Sequence, residues 1–255
     1  MNIVNRLFPR HCISCWSQGA YLCKQCKKKL QPHPEICPIC HRFSQDYKTC
    51  INCKSNKNFF LEGIIIPFIY TDLLKTLIIK LKYFHKKDIG EFLVERLAIA
   101  LQANESFQRE FRFPPLLRGG EPMIIGSEGF VHFNTSTLFI SFIPSHRYRH
   151  YFIKGYNQSE LLARKLSQHL QVPMIAIAKK QRHTKTQASL DRNGRMKNLN
   201  NAFSLIKNLS FTWNETLLIV DDITTTWSTI NELAKCIKHY YPNIKVRWAV
   251  LWRHI

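Results

Sequence analysis

The stretch Leu217-Leu218-Ile219-Val220-Asp221-Asp222-Ile223-Thr224-Thr225-Thr226-Trp227-Ser228-Thr229-Ile230 decides how the chain is read. Four consecutive apolar, partly β-branched residues fit a central parallel strand that stops at two adjacent carboxylates. Behind a hydroxyl-rich turn, Ile230, Leu233, Ala234 and Ile237 recur at helical spacing. The acids therefore sit at a strand's carboxyl end, the edge where open α/β sheets bind ligands, and the turn feeding the helix offers unpaired N–H groups to a phosphate. Asp221 and Asp222 are poor phosphate ligands but good acceptors for vicinal ribose hydroxyls.

That division of labour resembles the phosphoribosyl pyrophosphate (PRPP) signature of type I phosphoribosyltransferases, an apolar strand followed by Asp-Asp-x-x-Thr-Thr-Gly-x-Thr. Trp227 stands where the signature has Gly. A backbone expected to approach a 5′-phosphate closely, with φ > 0 open to it, must there accept a large side chain.

A length of 255 residues allows one large domain, or a medium domain with a small one. Hydrophobic residues make up 45% and aromatic residues 12%, which excludes a disordered chain. Lys and Arg outnumber Asp and Glu by 37 to 17, a formal charge of +20. Such an excess speeds encounter with polyanions and makes nucleic acid or an anionic membrane surface the natural partner, although lysine-rich composition alone also produces it. No window carries the uncharged apolar run of about 18 residues that a transmembrane helix needs, and the opening residues lack a signal-like apolar region. The expectation is a soluble cytoplasmic protein.

Eight of the nine cysteines form four C-x2-C pairs, Cys12/Cys15, Cys23/Cys26, Cys37/Cys40 and Cys50/Cys53. A two-residue gap lets both thiolates of a knuckle face one tetrahedral ion, and two knuckles complete a four-cysteine zinc site. Disulfides across so short a gap are strained, and a cytoplasmic chain is kept reduced. Sequential sites (Cys12, Cys15, Cys23, Cys26, then Cys37, Cys40, Cys50, Cys53) need only short hairpins, while a crossed arrangement stays open. Residues 1–58 lack an apolar core of their own, so metal supplies much of their folding free energy. Lys24, Lys27, Lys28, Lys29, His33, His41 and Arg42 surround the knuckles and suit nucleic acid or a solvated basic surface equally. Cys236 reads as core.

Residues 63–70 read as an edge element because of Pro67. Two amphipathic helices follow, one capped at Thr71 or Asp72 and one running to about Leu101. Residues 108–136, broken by Pro114-Pro115, Gly119-Gly120, Pro122, Gly126 and Gly129, read as a loop-rich insertion. Residues 138–143 form an apolar strand ending at Pro144-Ser145-His146-Arg147, a second candidate anion site. Asn157 caps the next helix with Glu160 closing the box, and a strand over 174–178 completes a βαβ unit. Residues 181–203 are polar and basic, a mobile loop whose Arg192, Arg195 and Lys197 can close over a pyrophosphate.

The order of parts resembles the ComF family of bacterial natural competence. It rests on the paired knuckles, the Leu-Lys-Tyr-Phe segment near Lys82, Pro144-Ser145-His146-Arg147, Lys154-Gly155-Tyr156-Asn157-Gln158-Ser159-Glu160, the loop from Thr184 to Phe203, and the Asp-Asp signature. Trp227 and the insertion over 108–136 depart from it. The resemblance implies an α/β fold with a type I phosphoribosyltransferase-like parallel sheet over 59–255 and a four-cysteine zinc module over 1–58. It implies binding of single-stranded DNA and PRPP, and a role in passing incoming DNA across the inner membrane. The protein would lie on the cytoplasmic side, peripheral to the membrane and near the DNA-uptake machinery. Asp221 and Asp222 are then expected at the ribose hydroxyls, and Thr225, Thr226, Ser228 and Thr229 at the 5′-phosphate, with Trp227 among them. Ser145, His146 and Arg147 are expected to meet the pyrophosphate with Mg²⁺. Three functions stay open at this point: a DNA-handling protein with PRPP as ligand, an active phosphoribosyltransferase of unknown acceptor, and a zinc-dependent scaffold with an inert pocket.

Overall fold

A computed structural model describes residues 9–55, 59–84, 87–110, 124–125, 138–145, 157–181, 202–206, 211, 215–224 and 227–253. Among them, six strands form one parallel sheet in the order β1 (Gly63–Ile65), β8 (Lys245–Arg253), β7 (Thr216–Thr224), β3 (Leu138–Phe142), β4 (Met174–Ile175) and β2 (Ile124–Ile125). The central strand is sorted by alternation: Leu218 and Val220 enter one apolar cluster, Leu217 and Ile219 the other. Helices cover both faces, as a sheet apolar on both sides requires. Helices α3 (Asp72–Phe84), α4 (Lys87–Ala103) and α6 (Gln158–Leu170) bury Leu77, Leu93, Leu162 and Leu166 against the first cluster. Helix α7 (Ser228–Tyr240) buries Ile230, Leu233, Ala234 and Ile237 against the second. Each such aliphatic side chain contributes about 1.5–3 kcal/mol relative to exposure.

Four expectations change in detail. The strand expected to stop at the carboxylates runs through them to Thr224, because β8 extends to Arg253 and supplies partners, with Asp221 opposite Val250 and Ile223 opposite Trp252. The strand expected over 174–178 divides. Met174–Ile175 belongs to the main sheet, whereas β5 (Ala178–Lys180) pairs antiparallel with β6 (Phe203–Leu205) in a separate two-stranded sheet. Within 108–136, a short helix α5 (Glu105–Glu110) overlaps the beginning, and β2 adds a parallel edge to β4. Glu160 pairs with Arg164 on its own helix, at 3.2 Å.

The edge reading of residues 63–70 holds, since β1 pairs with β8 at the sheet's margin. Thr71 Oγ1 accepts from Leu74 N at 3.2 Å and so starts α3. The cysteine segment, with helices α1 (Lys24–Lys27) and α2 (Ile51–Lys54), packs on this body: Cys12, Leu22, Cys26 and Leu30 are buried in the first cluster and Ile36 in the second. Gly63 is required at its contact with the segment, because a Cβ there would lie 2.6 Å from the Tyr47 carbonyl oxygen.

Candidate functional site: a switch-point crevice beside two cysteine clusters

From β3 the chain passes through α6 to β4 on one side, and from β7 through α7 to β8 on the other. Strands β3 and β7 are neighbours, so the chain turns in opposite directions from their carboxyl ends. Crevices of this kind are where open α/β sheets bind ligands. Asp221 and Asp222 lie at this end of β7, and Ser145 follows β3.

Asp221 Oδ1 accepts from Ser159 Oγ at 2.8 Å and from Asp222 N at 2.9 Å, and Asp222 Oδ1 accepts from Ile223 N at 2.8 Å. Donors aimed at a carboxylate fix its direction. Asp221 is half-buried and Asp222 buried. Asn157 works on both sides of the turn it caps. Its Oδ1 accepts from Ser159 N at 3.2 Å, and its Nδ2 donates to the Ile143 carbonyl at 3.0 Å, tying α6 to the end of β3.

An open cavity of about 880 Å³ lies alongside, with Phe142, Pro144 and Ser145 on one wall, Asn157 and Glu160 on another, and Lys179, Lys180 and Gln181 on a third. Its residues Asn157 and Glu160 bracket Ser159, the side chain that holds Asp221. Lys180 is paired in register with Phe203, so the two ends of the basic segment 181–202 meet beside this cavity.

Trp227 occupies the turn immediately before α7 with φ −69° and ψ −5°, a right-handed conformation open to any residue. The expected conflict with a left-handed backbone does not arise. Its indole packs edge-on against Phe59 with ring centroids 4.7 Å apart, while Asn231 Oδ1 accepts from Phe60 N at 3.1 Å. The residue that replaces the signature's Gly thus anchors the strand leading out of the cysteine segment. Ser228, buried, and Thr229, half-buried, lie in the first turn of α7. His146, Arg147, Lys154, Arg192, Arg195, Lys197, Thr225 and Thr226 lie outside the described residues.

The cysteine grouping is resolved as sequential. Cys12, Cys15, Cys23 and Cys26 form one group and Cys37, Cys40, Cys50 and Cys53 another, the Sγ atoms of each within 4.8 Å of one another. Zn–S bonds of about 2.3 Å in a tetrahedron place sulfurs roughly 3.8 Å apart. Cys15 and Cys23 lie 3.6 Å apart, and Cys40 and Cys50 3.7 Å, far from the disulfide length of about 2 Å. Backbone N–H groups already face the sulfurs: Cys23 N approaches Cys12 Sγ, Cys26 N approaches Cys23 Sγ, and Cys50 N approaches Cys37 Sγ, each at 3.5 Å. The N–H of Cys26 is the main cause that brings the Cys23 thiol down to about 6. Burial raises the Cys37 thiol, but the N–H groups of Cys40, Cys50 and Ile39 outweigh it and bring it to about 7. Both clusters can hold a metal ion such as zinc. Cys236 is a half-buried member of the second apolar cluster, as expected.

The second cysteine group is tied to the sheet by Arg253. This buried side chain donates from Nη1 to the Pro38 carbonyl at 2.9 Å and from Nη2 to His41 Nε2. Burial and the Arg253 charge both lower the His41 pKa, which suits a neutral imidazole accepting that bond. Arg253 stands opposite Thr224, the last residue of β7 before the hydroxyl-rich turn. Neither Ser159 nor Arg253 was given a role from sequence. The Lys154-to-Glu160 block was the signal for the first, and nothing local marks the second.

The fold and crevice define an α/β protein with a switch-point site, and residues 157–255 match the family model "Phosphoribosyl transferase domain". The chain is similar to Competence protein F of Haemophilus influenzae, 29% identical over 219 residues that cover 85% of this chain and 84% of that protein. It is also 38% identical over 97 residues to the DNA utilization protein YhgH of Escherichia coli O157:H7, covering 37% of this chain and 40% of that one. The ComF resemblance read from the motifs therefore holds. No helix among the described residues is long and apolar enough to cross a membrane.

Proposed function

We propose that the chain binds phosphoribosyl pyrophosphate in the crevice between β3 and β7 and serves DNA uptake in natural transformation by binding the incoming single strand. Asp221 and Asp222 accept the ribose hydroxyls. Thr225, Thr226, Ser228 and Thr229 donate to the 5′-phosphate, with the Trp227 backbone in the same turn. Ser145, His146 and Arg147 meet the pyrophosphate, and Arg192 and Arg195 close over it. When bound, Mg²⁺ neutralises the pyrophosphate oxygens. Zinc fills the two cysteine groups, in a module over 1–58 attached to a phosphoribosyltransferase-like domain over 59–255. Action on the cytoplasmic side, peripheral to the inner membrane and close to the uptake machinery, goes with this reading, as does the name of the Haemophilus relative.

The observation that supports the ligand reading is the bond from Ser159 to Asp221 across the switch point, because it holds a carboxylate in place at the carboxyl end of β7, where open α/β sheets bind ligands. The test is transformation frequency in cells whose own copy carries Asp221→Asn, with the protein level checked by immunoblot. A drop of tenfold or more at unchanged protein level is expected; unchanged transformation leaves the scaffold reading with an inert pocket.

A second reading, phosphoribosyl transfer, is favoured by the meeting of Lys180 and Phe203 at the base of the basic segment. Pyrophosphate would leave C1′ as an acceptor attacks, and the cations of that segment would take up the charge of the leaving group. Release of pyrophosphate in the presence of PRPP, Mg²⁺ and a panel of bases, amines and single strands tests it. No release above the acceptor-free rate excludes transfer to those acceptors.

A further inference from the structure

The leading knuckles of the two cysteine groups, Cys12/Cys15 and Cys37/Cys40, are copies of one local structure. In each, the N–H of the residue after the second cysteine donates to the carbonyl of the first, Trp16 to Cys12 at 2.8 Å and His41 to Cys37 at 3.1 Å. In each, that residue is left-handed, with φ 63° at Trp16 and 61° at His41. Isolated strand bridges close the two turns at His11–Gln18 and Ile36–Phe43. A bulky residue with a Cβ is disfavoured in this conformation, where glycine is the usual solution.

The copies differ in what the left-handed side chain does. His41, itself exposed, is tied back to the sheet as the acceptor of the Arg253 bond. Trp16 is 75% exposed and stacks on its neighbour His11, with ring centroids 5.3 Å apart and planes 17° from parallel. The left-handed turn is common to both knuckles, so what sets Trp16 apart is a large indole left mostly in water with its ring already stacked on His11. The segment's own sequence names the partner's charge. Residues 9–34 contain Arg10, Lys24, Lys27, Lys28 and Lys29 and no Asp or Glu. A flat, pre-stacked aromatic pair in a basic segment fits an unpaired base with its phosphate, the chemistry of single-strand binding.

We infer that the first knuckle is a base-stacking site for single-stranded DNA, in which a base lies on the open side of the Trp16 indole while Arg10 and the lysines of residues 24–29 meet the backbone. This rests on the single-strand reading above and locates it. None of Arg10, Trp16 or these lysines lines the cavity beside Asp221.

The test uses the zinc-loaded full chain, wild type, Trp16→Ala and Trp16→Phe, with fluorescence anisotropy of a labelled dT20 strand and of an abasic strand of the same length. Loss of one stacked base is expected to weaken dT20 binding by tenfold or more in Trp16→Ala, with most affinity retained in Trp16→Phe. The slope against salt should be unchanged, since no phosphate contact is removed. The abasic strand should bind both proteins alike. Equal dT20 binding by wild type and Trp16→Ala overturns this site and leaves the DNA reading standing. Absence of binding by the wild type overturns both. Loss of binding to anionic phospholipid vesicles in Trp16→Ala, with dT20 binding intact, assigns the knuckle to a membrane surface instead. Zinc content equal in the three proteins separates loss of stacking from loss of the fold.

Discussion

Ser159 Oγ donates to Asp221 Oδ1 at 2.8 Å, joining the first turn of α6 to the carboxyl end of β7 across 62 residues of sequence. The two segments are those whose motifs point to PRPP and to the competence family, and the bond makes them one site. Removing the hydroxyl takes away the donor that reaches Asp221 from α6. Ser159→Ala is expected to raise the Kd for PRPP about tenfold, the range of a hydrogen bond to a charged group, with the melting temperature little changed. Titration calorimetry beside a thermal melt separates the two effects.

Trp227 is held by Phe59 and needs no left-handed backbone. Restoring the signature's glycine is therefore expected to destabilise the protein, by about 1–2 kcal/mol, through the lost ring contact and added backbone freedom. Urea unfolding of Trp227→Gly checks it, and Trp227→Phe should recover much of the loss.

Arg253 connects β8 to the second cysteine group through Pro38 and His41. Arg253→Leu leaves the Pro38 carbonyl and the His41 ring without their donor, so stability should fall by about 2 kcal/mol or more. The zinc-loaded wild type should carry one ion per cysteine group, two per chain by elemental analysis. Stripping both with a chelator should cost more than the substitution does, since metal binding here is folding free energy.

Glu62 accepts from Lys54 of α2 at 2.8 Å and faces Lys238 of α7 at 3.7 Å. Burial raises its pKa, but the bond from Lys54 and the charges of Lys54, Lys238 and Arg247 outweigh it and hold the carboxyl below 4.5. A folded pKa below the unfolded one gives stability that is present above about 4.5 and lost as pH falls through the folded value. Glu62→Gln should thus cost roughly 0.5–1 kcal/mol at pH 7, and the difference from wild type should shrink below pH 4.5. Zinc loss in acid affects both proteins, so the difference in urea unfolding isolates Glu62.

Local chemistry made the core of this fold legible. Leu217–Val220 reads as a buried strand because both faces are apolar, and the knuckles pair sequentially because short hairpins close them. What escaped depends on distant partners. Two carboxylates look like the end of a strand until β8 supplies Val250 and Trp252 opposite Asp221 and Ile223. Ile124–Ile125 is too short to stand out among glycines and becomes a strand only through β4. Ser159 reads as part of a helix cap, and only the fold brings Asp221 to it. The left-handed Trp16 has no local sign at all, since glycine is the residue such a turn advertises.

The central claim is that the carboxylates at the end of β7 hold the ribose of PRPP. Calorimetric titration of PRPP with Mg²⁺ into the zinc-loaded wild type and into Asp221→Asn/Asp222→Asn tests it most directly. The account predicts saturable binding to the wild type with one site per chain, and at least a hundredfold weaker binding to the double variant. Equal binding to both proteins, or none to the wild type, contradicts it.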